Sequence, residues 1–220
     1  MVLEHMEDDD EETKSLPPWV ALEYRHILTL AGAGSTVYFT NLSTNSSCFL
    51  RESLGAVPGS IAPGGTANEV TSLEATTTSI LDLMRQRDIP IERVCLLDPK
   101  ATQELSPEDG GAFDYFLFGG ILGDDPPRDR TSELRVLGFP SRHLGSLQMT
   151  TDTALGVTKM IVVDKRLMRE IEFLDHPTIY FNAKESVEMP FRYIKINGEP
   201  LMPPGMREHL HKDLDQAFDF

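Results

Sequence analysis

Short apolar runs alternate with amphipathic stretches over the first 170 residues. Short strand-like runs lie at residues 1–6, 36–40, 93–97, 114–118 and 141–144, and the run at 93–97 is almost continuously apolar, as is typical of a parallel strand buried on both faces. Helical spacing occupies residues 18–30, 73–87, 128–136 and about 150–168. This order of strand and helix predicts an α/β fold with a mostly parallel sheet flanked by helices.

The pattern changes after residue 170. Short strand-like pieces at 171–174, 179–181 and 191–196 are separated by turn residues, and Asn197-Gly198 predicts a hairpin turn. We therefore expect one domain over residues 1–170 and a β-rich C-terminal extension over 171–220. The Ser, Thr and Gly content of residues 41–71 predicts a surface loop within the first domain.

Three predicted strand ends carry the features of a ligand site. Residues 114–118 stop at Gly119-Gly120, residues 141–144 break at Gly145, and residues 93–97 end at Asp98. Because parallel strands bring their carboxyl ends to one edge, these loops predict a crevice there, with Thr150 or Thr151 capping the helix that follows. The glycines are equally compatible with simple turns, and the spacing alone leaves both readings open.

The net charge of −15 limits the partners. Nucleic-acid binding requires a basic face, so a basic protein partner is expected and a nucleic acid is not. No apolar run reaches the roughly 20 residues of a membrane span, and the N-terminus lacks a signal-peptide pattern, so a cytoplasmic location is expected. The cysteines and histidines show no metal-ligand spacing, and no metal is expected.

Five segments resemble one protein family, in the same order along the chain. They read LEHME, VCLLDPKA, FGGILGDDPPRDRTSELR, QMTTDTA and EMPFRY. On these segments the chain resembles the SPOUT-class methyltransferases, in the branch that includes the yeast ribosomal-protein arginine methyltransferase. The resemblance covers most of the chain.

This resemblance implies a C-terminal trefoil knot, in which the segment after Gly119 is threaded and residues 145–154 close over it. It implies S-adenosylmethionine as the cofactor and methyl transfer to an arginine of a small-subunit ribosomal protein. Most SPOUT proteins dimerise, but this branch consists of monomers, so a monomer is expected. The implied cofactor-binding residues lie in three loops: Leu97, Gly119, Gly120, Ile121, Gly123, Leu144, Gln148, Met149, Thr150, Thr153 and Ala154.

An arginine acceptor adds a chemical requirement, because the guanidinium stays protonated and pairs best with carboxylates. We therefore expect Asp124 and Asp152 to be catalytic, with Glu4 and Glu7 holding the substrate. Asp152 is equally compatible with a first-turn helix acid. Further substrate-binding candidates are His5, Asp125, Arg128 and Glu188, although Asp125 suits a local turn and Arg128 a surface ion pair equally well.

Two other functions are compatible with the sequence. Most SPOUT enzymes methylate RNA, so an enzyme acting on rRNA or tRNA is the main alternative, and it would need a positive track such as Lys159, Lys165, Arg166 and Arg169. The second alternative is a module that binds the cofactor without turnover. The acidic composition favours the protein acceptor.

Overall fold

Six parallel strands form the central sheet of the computed structural model, which describes residues 1–54, 71–119, 129 and 131–217, with side chains described to residue 214. The order across the sheet is β3-β2-β1-β5-β4-β6. Their bounds are Val2–Glu4 for β1, Thr36–Thr40 for β2, Ser72–Ala75 for β3, Val94–Leu97 for β4, Tyr115–Gly119 for β5 and Ser141–Arg142 for β6.

The central strands are apolar because both of their faces are covered. Leu3 of β1 is level with Phe39 of β2 and Phe118 of β5, and all three are buried. Side chains of one face alternate with those of the other: Leu3 joins the core under one helical layer, and Val2 joins the core under the opposite layer. The predicted parallel sheet with helices on both sides is therefore confirmed.

The described residues form seven helices: α1 Pro18–Ala31, α2 Thr44–Leu54, α3 Ile80–Arg87, α4 Asp109–Ala112, α5 Thr131–Arg135, α6 Thr151–Val162 and α7 Met206–Ala217. Helices α1 and α6 pack against each other over one face, and α3 and α5 contribute to the opposite face. Helix α1 begins with Pro18 in its first turn and ends at Gly32, whose φ of +77° suits glycine.

The C-terminal extension packs on α6 and α1 through β10 and α7. Its strands are β7 Phe173–Asp175, β8 Thr178–Tyr180, β9 Ser186–Glu188, β10 Arg192–Ile196 and β11 Glu199–Pro200. Strands β11, β10 and β7 form an antiparallel sheet, and β8 pairs with β9. The predicted hairpin at Asn197-Gly198 joins β10 to β11, with φ values of 51° and 87° that suit a turn with two left-handed residues.

Three predicted elements differ from the structure. The loop predicted over 41–71 contains α2, whose Leu50 and Leu54 are four residues apart and buried, so helical spacing outweighed the polar composition. Residues 55–70 lie outside the described part. The helix predicted over 73–87 begins only at Ile80, because residues 72–75 pair with β2. Helix α6 ends at Val162 rather than near residue 168, and the chain reverses at Lys165, where φ is +58°.

Two neighbouring glycines test how closely α4 packs on α6. A Cβ at Gly110 would collide with the carbonyl oxygen of Val162, whereas a Cβ at Gly111 would meet no atom within 4 Å. We expect Gly110→Ala to lower the free energy of unfolding by about 1–3 kcal/mol, as overpacking does. The matched variant Gly111→Ala should change it by about 1 kcal/mol or less, in the stabilising direction. Urea unfolding of both variants checks the pair, and equal effects would contradict the packing.

Candidate active site

The carboxyl ends of β4 and β5 open into a depression that we call the sheet-edge cavity. Leu97 and Gly119 end these strands, and the segment of residues 144–154, which leads from β6 into α6, closes the opposite side. The empty space of the depression, including its open mouth, is about 530 Å³.

The walls of the sheet-edge cavity suit a flat, largely apolar group with polar edges. Its apolar side chains include Leu97, Phe118, Leu144, Leu147 and Met149. Gly145 also lines it with a φ of +91°, a left-handed conformation that brings bare backbone to the cavity. Apolar walls with a few backbone and side-chain polar groups are the usual setting for a cofactor.

An ion pair between the buried Asp98 and the partly exposed Arg135 fixes one corner of this cavity. The Asp98 carboxylate is buried and accepts hydrogen bonds from the Arg135 guanidinium, at 2.7 Å from Nη2, and from the Lys100 N–H at 2.9 Å. Burial alone would raise the pKa of Asp98, but these bonds outweigh it and hold the pKa below its ordinary value. Arg135 and then Lys100 also bond Asp129 and lower its pKa to about 2.

A second depression, the acidic groove, lies at the carboxyl end of β1. Its lining includes Glu4, His5, Glu7, Asp8, Asp129 and Glu133. The Glu4 carboxylate is buried and accepts hydrogen bonds from Thr40 Oγ1 and from the Ile80 N–H, the latter at 2.9 Å. Burial raises the pKa of Glu4 despite these bonds. Glu4 thus joins β1 to the start of α3 and also borders the groove.

A third depression, the tail cavity, lies between α1, the start of α6 and the C-terminal extension. Two buried carboxylates, Glu23 and Asp152, line it together with Trp19. Asp152 Oδ2 lies 2.7 Å from His26 Nδ1, and both side chains are almost fully buried. Burial, reinforced by the negative charge of Asp152, raises the pKa of Glu23 well above its ordinary range.

The structure brings together six of the predicted cofactor residues around the sheet-edge cavity: Leu97, Gly119, Leu144, Gln148, Met149 and Ala154. Thr150 lies on the tail cavity instead, and its hydroxyl donates a 2.8 Å hydrogen bond to Thr153 Oγ1. Six further predicted residues lie outside the described part of the chain: Gly120, Ile121, Gly123, Asp124, Asp125 and Arg128.

The predicted catalytic and substrate residues lie at two different depressions. Glu4, His5 and Glu7 line the acidic groove, whereas Asp152 lines the tail cavity. Glu188 is exposed in β9 and is not among the residues that line these three depressions. The sequence predicted that these acids share one crevice. In the structure, Glu4 and Glu7 lie at the acidic groove, Asp152 at the tail cavity and Glu188 at neither.

The sequence analysis did not identify Glu23 as a site residue, although it lies within the helix predicted over residues 18–30. The available signal was Glu23 followed three residues later by His26 on a face of α1 whose other members, such as Val20 and Ile27, are apolar, since two polar residues one turn apart on a buried face require partners. It also missed Phe118 and Thr131 in the wall of the sheet-edge cavity.

Comparison with known proteins identifies the family. The family model for SFM1-like protein arginine N-methyltransferases matches residues 1–217. The chain belongs to this family. It is 42% identical over 225 residues to protein arginine N-methyltransferase SFM1 of Saccharomyces cerevisiae, covering 99% of this chain and 97% of that protein.

Solved structures of this family share the fold. The yeast arginine methyltransferase SFM1 complexed with SAM superposes with a TM-score of 0.74 at 40% identity, over 96% of this chain and 89% of that one. The spTrm10 structure is only 14% identical but has a TM-score of 0.51 over 77% of this chain and 89% of its own, which shows a common fold. The predicted SPOUT-type fold is thus confirmed, whereas the knot stays a prediction.

No helix in the described ranges is long and apolar enough to cross a membrane.

Substitution of two glycines in the left-handed conformation distinguishes a loss of cofactor binding from a general effect of backbone strain. Gly145 (φ +91°) lines the sheet-edge cavity, and Gly138 (φ +83°) lies in the turn after α5 with open space around it. Alanine at either position should cost about 1–2 kcal/mol of stability. Only Gly145→Ala should also weaken binding of S-adenosylhomocysteine, by roughly tenfold or more, because the loop that forms the cavity wall must shift. Calorimetric titration of both variants checks this, and unimpaired binding by Gly145→Ala would remove that loop from the site.

The Asp98–Arg135 pair predicts a pH dependence of stability. Because the folded-state pKa values of Asp98 and Asp129 lie below their unfolded values, their contribution is complete above the unfolded pKa and is lost as pH falls through the folded pKa. The free energy of unfolding should therefore fall more steeply between about pH 5 and 2 in the native protein than in Arg135→Leu. Arg85→Leu, which removes an exposed pair with Asp82, should retain the native slope. Parallel curves for Arg135→Leu and the native protein would contradict this account.

Proposed function

We propose that this protein transfers a methyl group from S-adenosylmethionine to an arginine side chain of a small-subunit ribosomal protein. The observation that carries the proposal is the family match over residues 1–217, which includes every segment that forms the sheet-edge cavity. Two carboxylate-lined depressions beside that cavity support a cationic acceptor.

The sheet-edge cavity is the proposed cofactor site. Leu97, Leu144 and Met149 would pack against the adenine, and the backbone around Gly119 and Gly145 would approach it closely. When bound there, S-adenosylmethionine supplies a methyl group on a positively charged sulfur. The chain's own contribution is to hold the acceptor in line with that methyl group and to exclude water.

The carboxylates have two tasks in this reaction. A guanidinium nitrogen that gains a methyl group forms one N–C bond and releases one proton, while the electron pair of the broken methyl–sulfur bond remains on sulfur. Carboxylates both hold the cationic acceptor and offer a site for the released proton. Asp124 and Asp152 are the proposed catalytic residues, with Glu4, His5 and Glu7 at the acidic groove, and with Asp125, Arg128 and Glu188 as further substrate contacts.

Three of the four basic residues of the alternative RNA-binding track are engaged within the protein. Lys159 Nζ bonds both carboxylate oxygens of Asp164 at 2.8 Å, Lys165 Nζ bonds the Pro107 carbonyl at 2.7 Å, and Arg166 bonds the Glu170 carbonyl. These bonds compete with phosphate binding. They support a protein acceptor over RNA.

Cellular placement and assembly follow from the same proposal. A ribosomal-protein substrate suits a cytoplasmic enzyme. The C-terminal extension lies against α6 and α1, so it covers surface that would otherwise be open for pairing with a second copy. This supports a monomer.

Transfer of a labelled methyl group to purified small ribosomal subunits tests the function. We expect label that is removed by protease, resists ribonuclease and yields methylarginine on acid hydrolysis. Gly145→Ala serves as the matched control, because it should label poorly at limiting cofactor. Label removed by ribonuclease, or no label at all, would overturn the protein-arginine assignment.

A further inference from the structure

We propose that the tail cavity binds the guanidinium group of the substrate arginine, and that Glu23 together with Asp152 provides the carboxylates that hold it. The identity of the cation as the methyl acceptor rests on the proposed function above. The existence of a cation site rests on the geometry of the cavity alone.

Two buried carboxylates in this cavity each have an oxygen without a hydrogen bond. Glu23 is 5% exposed and Asp152 is 0% exposed, and neither Glu23 Oε2 nor Asp152 Oδ1 has a partner among the described residues. A buried carboxylate oxygen without a partner is costly, and two neighbouring carboxylates repel each other. A planar cation with several N–H donors would remove both costs at once.

The remaining walls match the shape of an arginine side chain. The aromatic side chains of Trp19, Phe191 and Tyr193 line the cavity, and aromatic rings attract a guanidinium. Met202 and Met206 supply apolar surface suited to the methylene stem. The empty space of the cavity, including its open mouth, is about 860 Å³, which is larger than one such side chain.

The tail cavity and the sheet-edge cavity share a wall. Along the start of α6 the lining alternates: Met149 and Thr151 line the sheet-edge cavity, whereas Thr150 and Asp152 line the tail cavity. An acceptor in the tail cavity and a cofactor in the sheet-edge cavity would therefore both border one short segment. Direct transfer further requires the acceptor nitrogen to reach past this segment to within about 3–3.5 Å of the methyl carbon.

His26 is a positioning residue in this site. Its Nδ1 lies 2.7 Å from Asp152 Oδ2, so one carboxylate oxygen is engaged and Oδ1 is left for the ligand. The high pKa of Glu23 agrees with a site whose second carboxylate becomes fully ionised only when a cation is present.

Trp19 offers a direct measurement, because it is the only tryptophan in the sequence and lines the tail cavity. The full-length protein, saturated with S-adenosylhomocysteine, is titrated with acetyl-arginine amide while Trp19 emission is recorded. Acetyl-citrulline amide is the matched probe, since it keeps the shape and lacks the charge. We expect a saturable change with the arginine probe and at least roughly tenfold weaker binding of the citrulline probe.

Three variants assign the effect to residues. Glu23→Gln and Asp152→Asn should each weaken the arginine probe by roughly tenfold or more, while S-adenosylhomocysteine affinity stays unchanged. Glu172→Gln removes an equal charge at a side chain that is 74% exposed and should bind as the native protein does. If a variant fails to fold, the contrast between the two probes on the native protein decides the matter. No saturable response to the arginine probe, or equal affinity for both probes, would overturn the proposal.

The same variants separate this inference from the proposed function. Methylation of ribosomal protein with an unchanged KM in Glu23→Gln would refute the tail cavity as the acceptor site and leave the function intact. Specific binding of the arginine probe with no methylarginine formed would support the cation site and refute the function.

Discussion

The burial of Asp152 in the first turn of α6 is the interaction on which the rest of the site depends. A carboxylate that is fully removed from solvent requires compensation, and its 2.7 Å contact with His26 provides part of it while joining α6 to α1. Gly156 one turn later allows Leu30 and Ile194 to approach closely, so that α1 and the C-terminal extension pack on the same helix. The helix start is thereby held where it forms the wall between two cavities.

The electrostatics of the protein are consistent with a cationic substrate. The chain carries a net charge of −15, and three of its buried acids, Glu4, Glu23 and Asp152, lie at the depressions beside the sheet-edge cavity. Burial raises the pKa of Glu4 and Glu23, so ionisation of both is disfavoured in the free protein, and an approaching cation would lower these pKa values again. By contrast, Asp98 already has its cation in Arg135, and it acts as a fixed corner of the cofactor cavity.

Much of this arrangement was predictable from the sequence. Almost continuous apolar runs such as 93–97 are typical of a strand that is buried on both faces, and parallel strands end at one edge of the sheet. The positions of Leu97 and Gly119 therefore followed from the pattern. Helix α2 was missed because its polar composition masked the spacing of Leu50 and Leu54. Glu23 was missed because its proposed role depends on Asp152. That residue lies 129 positions away along the chain, and only tertiary packing brings both to the same cavity.

A crystal structure of the protein with S-adenosylhomocysteine and an arginine-containing peptide would test the central claim most directly. We expect the cofactor product in the sheet-edge cavity and the guanidinium within hydrogen-bonding distance of Glu23 and Asp152, in the tail cavity beside the start of α6. A guanidinium bound instead in the acidic groove against Glu4 and Glu7 would contradict it.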